Sequence, residues 1–342
     1  MADHLPILGI CGWSGSGKTT LIEKIVPELL ASGLKVAILK HDVHGLDVDR
    51  PGKDSDRFFN TGADVLAHGP DQTFLRVHRT GVPLADLLGP LTSQYDLLLV
   101  EGHKHSDIPK VWLLADDGAA PPVEAGEPLI ILSRDDDRPA AVKPLIEEFL
   151  ADRLAAEPLY GCVLIGGKST RMGTPKHLIE TDGKTWLART IEYMAQTVSQ
   201  VVISGAGEVP DELSDYARLP DAPDARGPMS GLLSMMRWSP QASWLVAACD
   251  MPDLTGEAFA WLASTRTPGT WATMPKLSDA NAKGVEPLLA YYNFRFATLL
   301  ETQAAADNYR LNDLAGNREV ATPSVPEKLT AAWRNANSPQ DL

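Results

Sequence analysis

The sequence predicts an α/β protein of two domains, each with a mainly parallel β-sheet flanked by helices. Apolar runs of strand length alternate with segments of helical periodicity, which is the pattern of parallel strands joined by crossover helices. An apolar run followed at once by a glycine-rich loop occurs twice, near residues 12 and 166. The length of 342 residues is enough for two hydrophobic cores. We expect domains over residues 1–157 and 158–342, joined by a linker at 155–158.

Composition and charge exclude several classes of protein. Hydrophobic residues make up 44% of the chain and charged residues 22%, which is ordinary for a globular protein. The net charge of −14 argues against nucleic-acid binding, so any phosphate site has to be made locally from backbone amides and a few cations. The sequence has no apolar run long enough to span a membrane and no signal-peptide pattern. Three distant cysteines are expected to be buried in a protein of the reduced cytoplasm.

The first glycine-rich loop follows the apolar run at residues 5–11. Its sequence, Gly-Trp-Ser-Gly-Ser-Gly-Lys-Thr at residues 12–19, is the full phosphate-loop motif, and apolar residues recur after it with helical spacing. Loop amides and the helix N-terminus surround phosphates in such a motif, the lysine reaches the β and γ oxygens, and the threonine hydroxyl coordinates Mg²⁺. The predicted nucleotide-binding residues are Gly12, Gly15, Ser16, Gly17, Lys18, Thr19 and Thr20.

An acidic residue at a later strand end completes the predicted phosphate site. The apolar run at residues 97–100 ends at Glu101, where an acid can hold Mg²⁺ or its water. The alternative is a carboxylate that caps a turn. Thr19 and Glu101 are therefore the predicted metal-binding residues of the first domain.

The second glycine-rich loop covers residues 163–176. Gly166 and Gly167 end a short apolar run, and Arg171 and Lys176 add positive charge. Glycines let the backbone approach a ligand closely, and the two cations would offset the charge of a triphosphate or a departing pyrophosphate. The alternative is a surface loop with solvated basic residues.

A second acidic strand end lies at Asp250, after the apolar run at residues 243–248. Its carboxylate is expected at the ligand-binding edge of the sheet, because Met-Pro follows it directly. Mg²⁺ prefers one or two carboxylates together with phosphate oxygens, which suits nucleotidyl transfer. A purely structural capping role is the alternative.

The motifs resemble two families of molybdenum cofactor synthesis. Residues 40–55 contain Lys-His-Asp, a further His, and Asp-x-x-Gly-Lys-Asp-Ser. Together with Glu101-Gly102, this pattern resembles the MobB family of GTP-binding proteins. Residues 163–176 with Cys249-Asp250-Met-Pro resemble the MobA family of molybdenum cofactor guanylyltransferases. The resemblance covers nearly the whole chain. It implies a P-loop NTPase fold followed by a Rossmann-like nucleotidyltransferase fold.

The MobA resemblance also implies roles for individual residues. Asp250 corresponds to the metal ligand, Lys176 to the lysine that closes the opening loop, and Asp221 to an aspartate near the nucleotide. Gly227 belongs to a Gly-Pro-Met-x-Gly turn near the base, and a C-terminal Asn-x-Asn serves the site. The implied catalytic residues are Lys176, Arg171 and Asp250, and the implied nucleotide-binding residues are Ile165, Gly166, Gly167, Asp221, Gly227, Asn335 and Asn337.

The choice of nucleotide is left open by two opposing signals. Thr174-Pro175 replaces an acidic residue that guanylyltransferases often carry before the lysine, and proline there resembles relatives that use CTP. Gly166-Gly167 and the two C-terminal asparagines resemble the guanylyl type. GTP is therefore expected, with CTP as the alternative.

The resemblance implies a fused enzyme that transfers GMP from GTP to molybdopterin with Mg²⁺, beside a GTP-binding adaptor domain with weak GTPase activity. Molybdopterin-handling proteins and molybdoenzymes are the implied partners, and a homodimer is expected because MobB relatives form dimers. The alternatives are cytidylyl transfer to the same cofactor, nucleotidyl transfer to a sugar phosphate, and a cofactor-delivery adaptor whose second domain is inactive.

Overall fold

The predicted division into two α/β domains is confirmed. A computed structural model describes residues 5–42, 45–78, 81–116, 118–166, 175–277 and 284–336. Within these ranges no helix combines the length and the apolar character needed to cross a bilayer.

The N-terminal domain is a parallel sheet with helices on both faces. Five strands pair in the order β2-β5-β1-β6-β7, and every neighbouring pair is parallel. Helices α1 and α4 cover one face of the sheet with apolar residues, and α3 covers the other. Its elements in chain order are β1 (Ile7–Gly12), α1 (Lys18–Ala31), β2 (Val36–Lys40), α2 (Asp54–Phe59), β3 (Val65–His68), β4 (Thr73–Arg76), α3 (Leu84–Thr92), β5 (Leu97–Glu101), β6 (Lys110–Leu113), β7 (Ile130–Leu132) and α4 (Arg138–Ala156).

A small antiparallel hairpin lies outside this sheet. Strands β3 and β4 pair with each other, with Leu66 opposite Leu75. These two leucines are 65% and 61% exposed, so the hairpin presents apolar side chains to solvent. Sequence analysis did not identify this hairpin, because each strand has only four residues.

The C-terminal domain is built around a seven-stranded mixed sheet, in the order β12-β11-β8-β13-β15-β14-β16. The strands β12, β11, β8 and β13 are parallel, as expected, whereas β15 runs antiparallel to both of its neighbours. Its elements are β8 (Leu159–Leu164), β9 (Glu180–Thr181), β10 (Lys184–Thr185), α5 (Trp186–Met194), β11 (Gln200–Ser204), β12 (Ala217–Leu219), α6 (Pro228–Trp238), β13 (Ser243–Ala248), α7 (Gly256–Ser264), β14 (Ala272–Thr273), β15 (Leu289–Tyr292), α8 (Ala297–Ala305) and β16 (Val320–Ala321).

The two domains meet at the ends of their sheets where the parallel strands begin, which we call the amino edges. Asp96 precedes β5 and accepts hydrogen bonds from the Trp271 indole at 2.7 Å and from the Lys35 amide at 2.8 Å. The Lys35 ammonium lies 2.7 Å from a Glu319 oxygen and 4.0 Å from the centre of the Trp271 ring. These contacts join the start of β2 and β5 to the start of β14 and β16.

A buried carboxylate lies where the chain passes from one domain to the other. Glu157 follows α4 directly, and its side chain accepts hydrogen bonds from Ser243 Oγ at 2.9 Å and from Asn293 Nδ2 at 3.0 Å. The guanidinium groups of Arg266 and Arg295 lie 3.7 and 4.0 Å from it. Burial raises the pKa of Glu157, although the arginines and the hydrogen-bond donors favour its charged form.

We expect Trp271→Phe to lower the free energy of unfolding by about 1.5–3 kcal/mol, because the buried Asp96 carboxylate then loses the hydrogen bond that it accepts from the Trp271 indole. Chemical denaturation followed by circular dichroism measures this loss. Trp238→Phe is the matched control, since Trp238 is 43% exposed, and a smaller loss is expected there. Equal effects of the two substitutions would contradict a stabilising role of the Asp96 contact.

Candidate functional site

The first phosphate loop connects β1 to α1 at the edge where the parallel strands end, which we call the carboxyl edge. Gly12, Gly15 and Gly17 have φ values of 148°, 74° and 90°, which favour glycine. A Cβ on Gly12 would also lie 2.5 Å from the backbone oxygen of Leu113. The motif glycines are therefore required by the shape of the loop, and free amides at a helix start such as that of α1 favour a bound anion.

The side chains of this loop form the expected arrangement of a lysine, a hydroxyl and an acid. Lys18 Nζ donates to the backbone oxygens of Gly12 and Trp13 at 3.2 and 2.9 Å, and burial lowers its pKa. Thr19 Oγ1 donates to Glu101 Oε1 at 2.8 Å, although 82 residues separate them in sequence. A hydroxyl and a carboxylate are hard oxygen donors and suit Mg²⁺.

Two arginines that the sequence did not indicate support the loop. Arg138, the first residue of α4, donates to the Ser16 backbone oxygen at 2.6 Å, and Arg134 donates to the Gly15 backbone oxygen at 2.5 Å. Burial lowers the pKa of Arg138. Both side chains bind backbone oxygens, which any sequence supplies. No short motif therefore indicates their role, and only the folded arrangement shows it.

Two histidines lie at the same edge of the first sheet. His41 and His103 follow β2 and β5, and their ring centres are 4.1 Å apart. Burial and the neighbouring His41 lower the pKa of His103, which favours its neutral form. His103 has a φ of 50°, uncommon for a residue with a side chain. His44, the further histidine of the MobB-like pattern, lies outside the described residues.

A cavity of about 420 Å³ lies at the carboxyl edge of the second sheet. Strands β8, β11 and β13 end at this cavity, which places their following residues on its walls, as expected for parallel sheets. Six of the predicted residues line it: Ile165, Gly166, Lys176, Asp221, Gly227 and Asp250.

The central pair of this cavity is Lys176 and Asp250. Lys176 Nζ lies 3.1 Å from Asp250 Oδ2, across a separation of 74 residues. Both side chains are partly exposed, at 20% and 28%, so they are accessible to a ligand. The described residues contain no group of three His, Cys, Asp or Glu side chains placed to hold a metal ion. An ion held by Asp250 would therefore take its other ligands from phosphate and water, which is usual for Mg²⁺.

Helix α6 points its N-terminus at the same cavity. Gly227 is its N-cap with a φ of 61°, Pro228 is its first residue, and both line the cavity with Gly231. Pro228 has no N–H and the Ser230 amide donates to the Gly227 backbone oxygen at 3.0 Å, so the dipole of α6 is the feature that favours a bound anion here. This geometry accounts for the Gly-Pro-Met-x-Gly sequence of the turn.

Ser204 is a cavity residue that sequence analysis missed. It is the last residue of β11, it is 1% exposed, and its Oγ has no hydrogen-bond partner among the described residues. An unpaired buried hydroxyl at a cavity wall is available to a ligand. Its position at the end of a strand next to β8 was the signal that could have identified it.

The C-terminal segment lies next to Asp250 but not on the wall of the cavity. The Ala336 amide donates to the Asp250 backbone oxygen at 2.8 Å. Asn335 Nδ2 donates to Glu286 Oε2 at 3.3 Å, and burial, with Asp250 nearby, raises the pKa of Glu286. Sequence analysis did not identify Glu286.

Three predicted residues, Gly167, Arg171 and Asn337, lie outside the described residues.

The chain is similar to proteins of molybdenum cofactor synthesis in both of its parts. Residues 7–133 match the family model of molybdopterin guanine dinucleotide synthesis protein B (MobB), and residues 161–319 match that of the MobA-like NTP transferase domain. The resemblance inferred from the sequence is therefore confirmed for both parts.

Individual proteins and solved structures are also similar to parts of the chain. A molybdopterin-guanine dinucleotide biosynthesis adapter protein of Haemophilus influenzae is 39% identical over 132 residues, which are 37% of this chain and 73% of that protein. A probable molybdenum cofactor guanylyltransferase of Flavobacterium johnsoniae is 25% identical over 186 residues, 54% of this chain and 95% of that protein. The crystal structure of molybdopterin-guanine dinucleotide biosynthesis protein A from Archaeoglobus fulgidus aligns with a TM-score of 0.44 and 25% identity, over 53% of this chain and 94% of that one.

We expect Gly205→Ala to lower the free energy of unfolding by at least about 1–2 kcal/mol, because its φ of 113° disfavours a side chain. The added Cβ would also collide with the backbone oxygen of Ile165, which would displace the wall of the cavity. Gly316→Ala is the control, because a Cβ there meets open space among the described residues. Thermal denaturation of both variants measures the difference, and equal stability would contradict this account.

Proposed function

The chain belongs to the MobB family through residues 7–133 and carries a MobA-like NTP transferase domain over residues 161–319, and we propose that it makes the guanine dinucleotide form of the molybdenum cofactor. In this proposal the second domain transfers GMP from GTP to molybdopterin or its molybdenum-loaded form. The observation that supports this proposal most directly is the contact between Lys176 and Asp250, in a cavity that the N-terminus of α6 also lines.

The reaction joins an acceptor phosphate to the α-phosphorus of GTP. An oxygen of the acceptor phosphate forms the new bond, the bond from the α-phosphorus to the bridging oxygen breaks, and pyrophosphate leaves with that electron pair. The acceptor phosphate is already anionic, so no strong general base is needed. Catalysis then consists of alignment and stabilisation of charge.

The cavity residues divide this task between them. Asp250 would hold Mg²⁺, which neutralises charge on the triphosphate when bound, and Lys176 would stabilise the charge that moves to the departing pyrophosphate. The Gly166 amide and Ser204 Oγ would bind phosphate oxygens, and the dipole of α6 would favour the negative charge. Arg171, Gly167, Asn335 and Asn337 belong to this proposal through their place in the MobA-like motifs.

The first domain binds a second GTP in this proposal. Its phosphate loop would surround the phosphates, with Lys18 on the β and γ oxygens and Mg²⁺ held by Thr19 and Glu101. The H. influenzae relative is named an adapter protein, and an adaptor role with weak GTP hydrolysis is proposed here for residues 1–157. Its partners would be molybdopterin-handling proteins and molybdoenzymes.

We place this work in the cytoplasm, where the three buried free cysteines would stay reduced.

We further propose that the chain forms a homodimer through the β3–β4 hairpin. Leu66 and Leu75 face each other across the hairpin and are more than half exposed. Exposed apolar patches of this kind favour association. The nearby Phe58 of α2, at 58% exposure, would extend the apolar surface.

The transfer reaction is tested by incubating the protein with molybdopterin and Mg²⁺ plus GTP, CTP or ATP, and identifying the dinucleotide by mass spectrometry. A GMP-containing product is expected, and Asp250→Asn is expected to reduce its formation at least about 100-fold. Asp211→Asn, an exposed residue of the same domain, is the control. A CMP-containing product would establish cytidylyl transfer instead. No product with any nucleotide would refute the enzyme assignment and leave the adaptor alternative.

The dimer is tested with the double variant Leu66→Asp/Leu75→Asp. Two charges on the exposed face should make association unfavourable, so light scattering is expected to give about half the wild-type molar mass. Leu129→Asp is the control, because Leu129 is also about half exposed and lies away from the hairpin. A wild-type protein that is monomeric at all concentrations would refute this proposal.

A further inference from the structure

The antiparallel strand β15 brings a second acid to the region of Asp250. Because β15 runs antiparallel to β13, it begins at the carboxyl edge, where β13 ends. Glu286 lies shortly before β15, and the charge of Asp250 contributes to the raised pKa of the Glu286 carboxyl group. Leu288, which follows Glu286 at the start of the strand, lines the cavity. Glu286 is therefore placed behind the wall of the transfer site.

Both carboxylate oxygens of Glu286 accept hydrogen bonds. Oε1 accepts from the Leu288 backbone amide at 2.9 Å, and Oε2 accepts from Asn335 Nδ2 at 3.3 Å. An ionised carboxylate has acceptors only, so the Asn335 side chain can face it only with its NH2 group. The carbonyl oxygen Oδ1 of Asn335 then points away from Glu286, and it accepts no hydrogen bond within the part of the chain that the structure describes.

The direction of this amide matters because Asn335 is held next to Asp250. On one side of Asn335 the Ala336 amide donates to the Asp250 backbone oxygen at 2.8 Å. On the other side Arg334 Nε lies 2.6 Å from Asp253 Oδ2. Asn335 itself is exposed, so the end of its side chain that faces away from Glu286 is accessible to a ligand.

Attachment of the C-terminal segment does not depend on Glu286 alone. Besides the contacts of Arg334 and Ala336, the Trp333 indole donates to the Leu289 backbone oxygen at 3.2 Å. These contacts hold the segment on both sides of Asn335 and leave its side chain to rotate. What Glu286 adds is the choice between the two faces of one amide.

We propose that Glu286 is a positioning residue of the transfer site, and that its carboxylate turns Asn335 so that a carbonyl oxygen, and not an NH2 group, is offered to the ligand. This inference rests on the proposed function, in which Asn335 belongs to the nucleotide site. Such an oxygen accepts a hydrogen bond from a substrate hydroxyl or N–H group, or binds Mg²⁺. A phosphate oxygen is not its partner, because a phosphate oxygen needs a donor.

Glu286→Gln tests the orientation of the amide. The Leu288 amide needs an acceptor and keeps the glutamine oxygen, so the glutamine NH2 group faces Asn335. Asn335 then turns its own oxygen towards that group and offers its NH2 group to the ligand. We expect kcat/KM for GTP in dinucleotide formation to fall about tenfold, with little change in the thermal denaturation midpoint because both hydrogen bonds remain.

The double variant Glu286→Gln/Asn335→Asp is expected to recover kcat/KM to within about threefold of wild type. The introduced aspartate accepts from the glutamine with one oxygen and offers the other to the ligand, and the net charge equals that of wild type. Asn335→Asp alone places two carboxylates against each other, so it should lower kcat/KM at least as far as Glu286→Gln does. A double variant no better than Glu286→Gln would overturn the inference.

Asp253→Asn is the matched control. It removes the contact with Arg334 in the same segment without touching the Asn335 side chain. Addition of Asn335→Asp is expected to give no recovery there, and a recovery as large as in the Glu286→Gln background would overturn the inference. Should Glu286→Gln not fold, the single variant Asn335→Asp decides, and wild-type kcat/KM in that variant would overturn the inference.

Variation of the Mg²⁺ concentration distinguishes the two partners of the oxygen. If the apparent Mg²⁺ affinity falls in Glu286→Gln and recovers in the double variant, the oxygen binds the ion. If only the KM for GTP follows this order, the oxygen accepts from the substrate. Both results support the proposed orientation.

The orientation also has a readout that requires no activity. In protein labelled with ¹⁵N-asparagine, the side-chain amide signal that Asn335→Asp removes belongs to Asn335. This signal is expected to shift in Glu286→Gln, because the NH2 group loses its carboxylate acceptor, and an unchanged position would overturn the inference. If wild type forms no dinucleotide product, the proposed function fails, and the amide signal alone decides the role of Glu286.

Discussion

The arrangement of the whole chain depends on the burial of one carboxylate, that of Glu157. A buried charge is unfavourable by several kcal/mol unless hydrogen bonds and opposite charges compensate it. Here Ser243 and Asn293 donate to it, and Arg266 and Arg295 lie within 4.0 Å. All four belong to the second domain, whereas Glu157 directly follows the last helix of the first. The same contacts that satisfy the charge therefore determine how the domains are oriented.

The two proposed phosphate sites are built in the same way in an acidic chain. With a net charge of −14, each would rely on backbone amides at a glycine turn, to which it adds one lysine. Each site also has one acid from a neighbouring strand. Glu101 reaches Thr19 in the first site, and Asp250 reaches Lys176 in the second. Because carboxyl ends of parallel strands converge, residues 82 and 74 positions apart become neighbours.

Sequence analysis predicted the elements with strong local signals and missed those without them. The strands β1, β5, β8 and β13 were recognised because each is a continuous apolar run next to a glycine or an acid. The hairpin β3–β4 and the antiparallel strand β15 were missed, since short strands carry little periodicity and strand direction depends on the neighbouring strand. Among site residues, Ser204 was missed because a buried serine has no motif, and Arg138 because it binds backbone oxygens that any sequence supplies.

The sequence by itself determined that the chain contains two glycine-rich loops after strands, and which families their motifs resemble. A phosphate loop is a local structure, so its glycines, lysine and hydroxyl are readable from neighbouring positions. Only the tertiary structure decided that the two sites face away from each other. That direction is set by contacts such as Asp96 with Trp271, which are 175 residues apart in the chain and carry no local pattern. The physical reason is that a loop is shaped by its own backbone, whereas a domain orientation is shaped by the burial of charges and hydrogen bonds between distant segments.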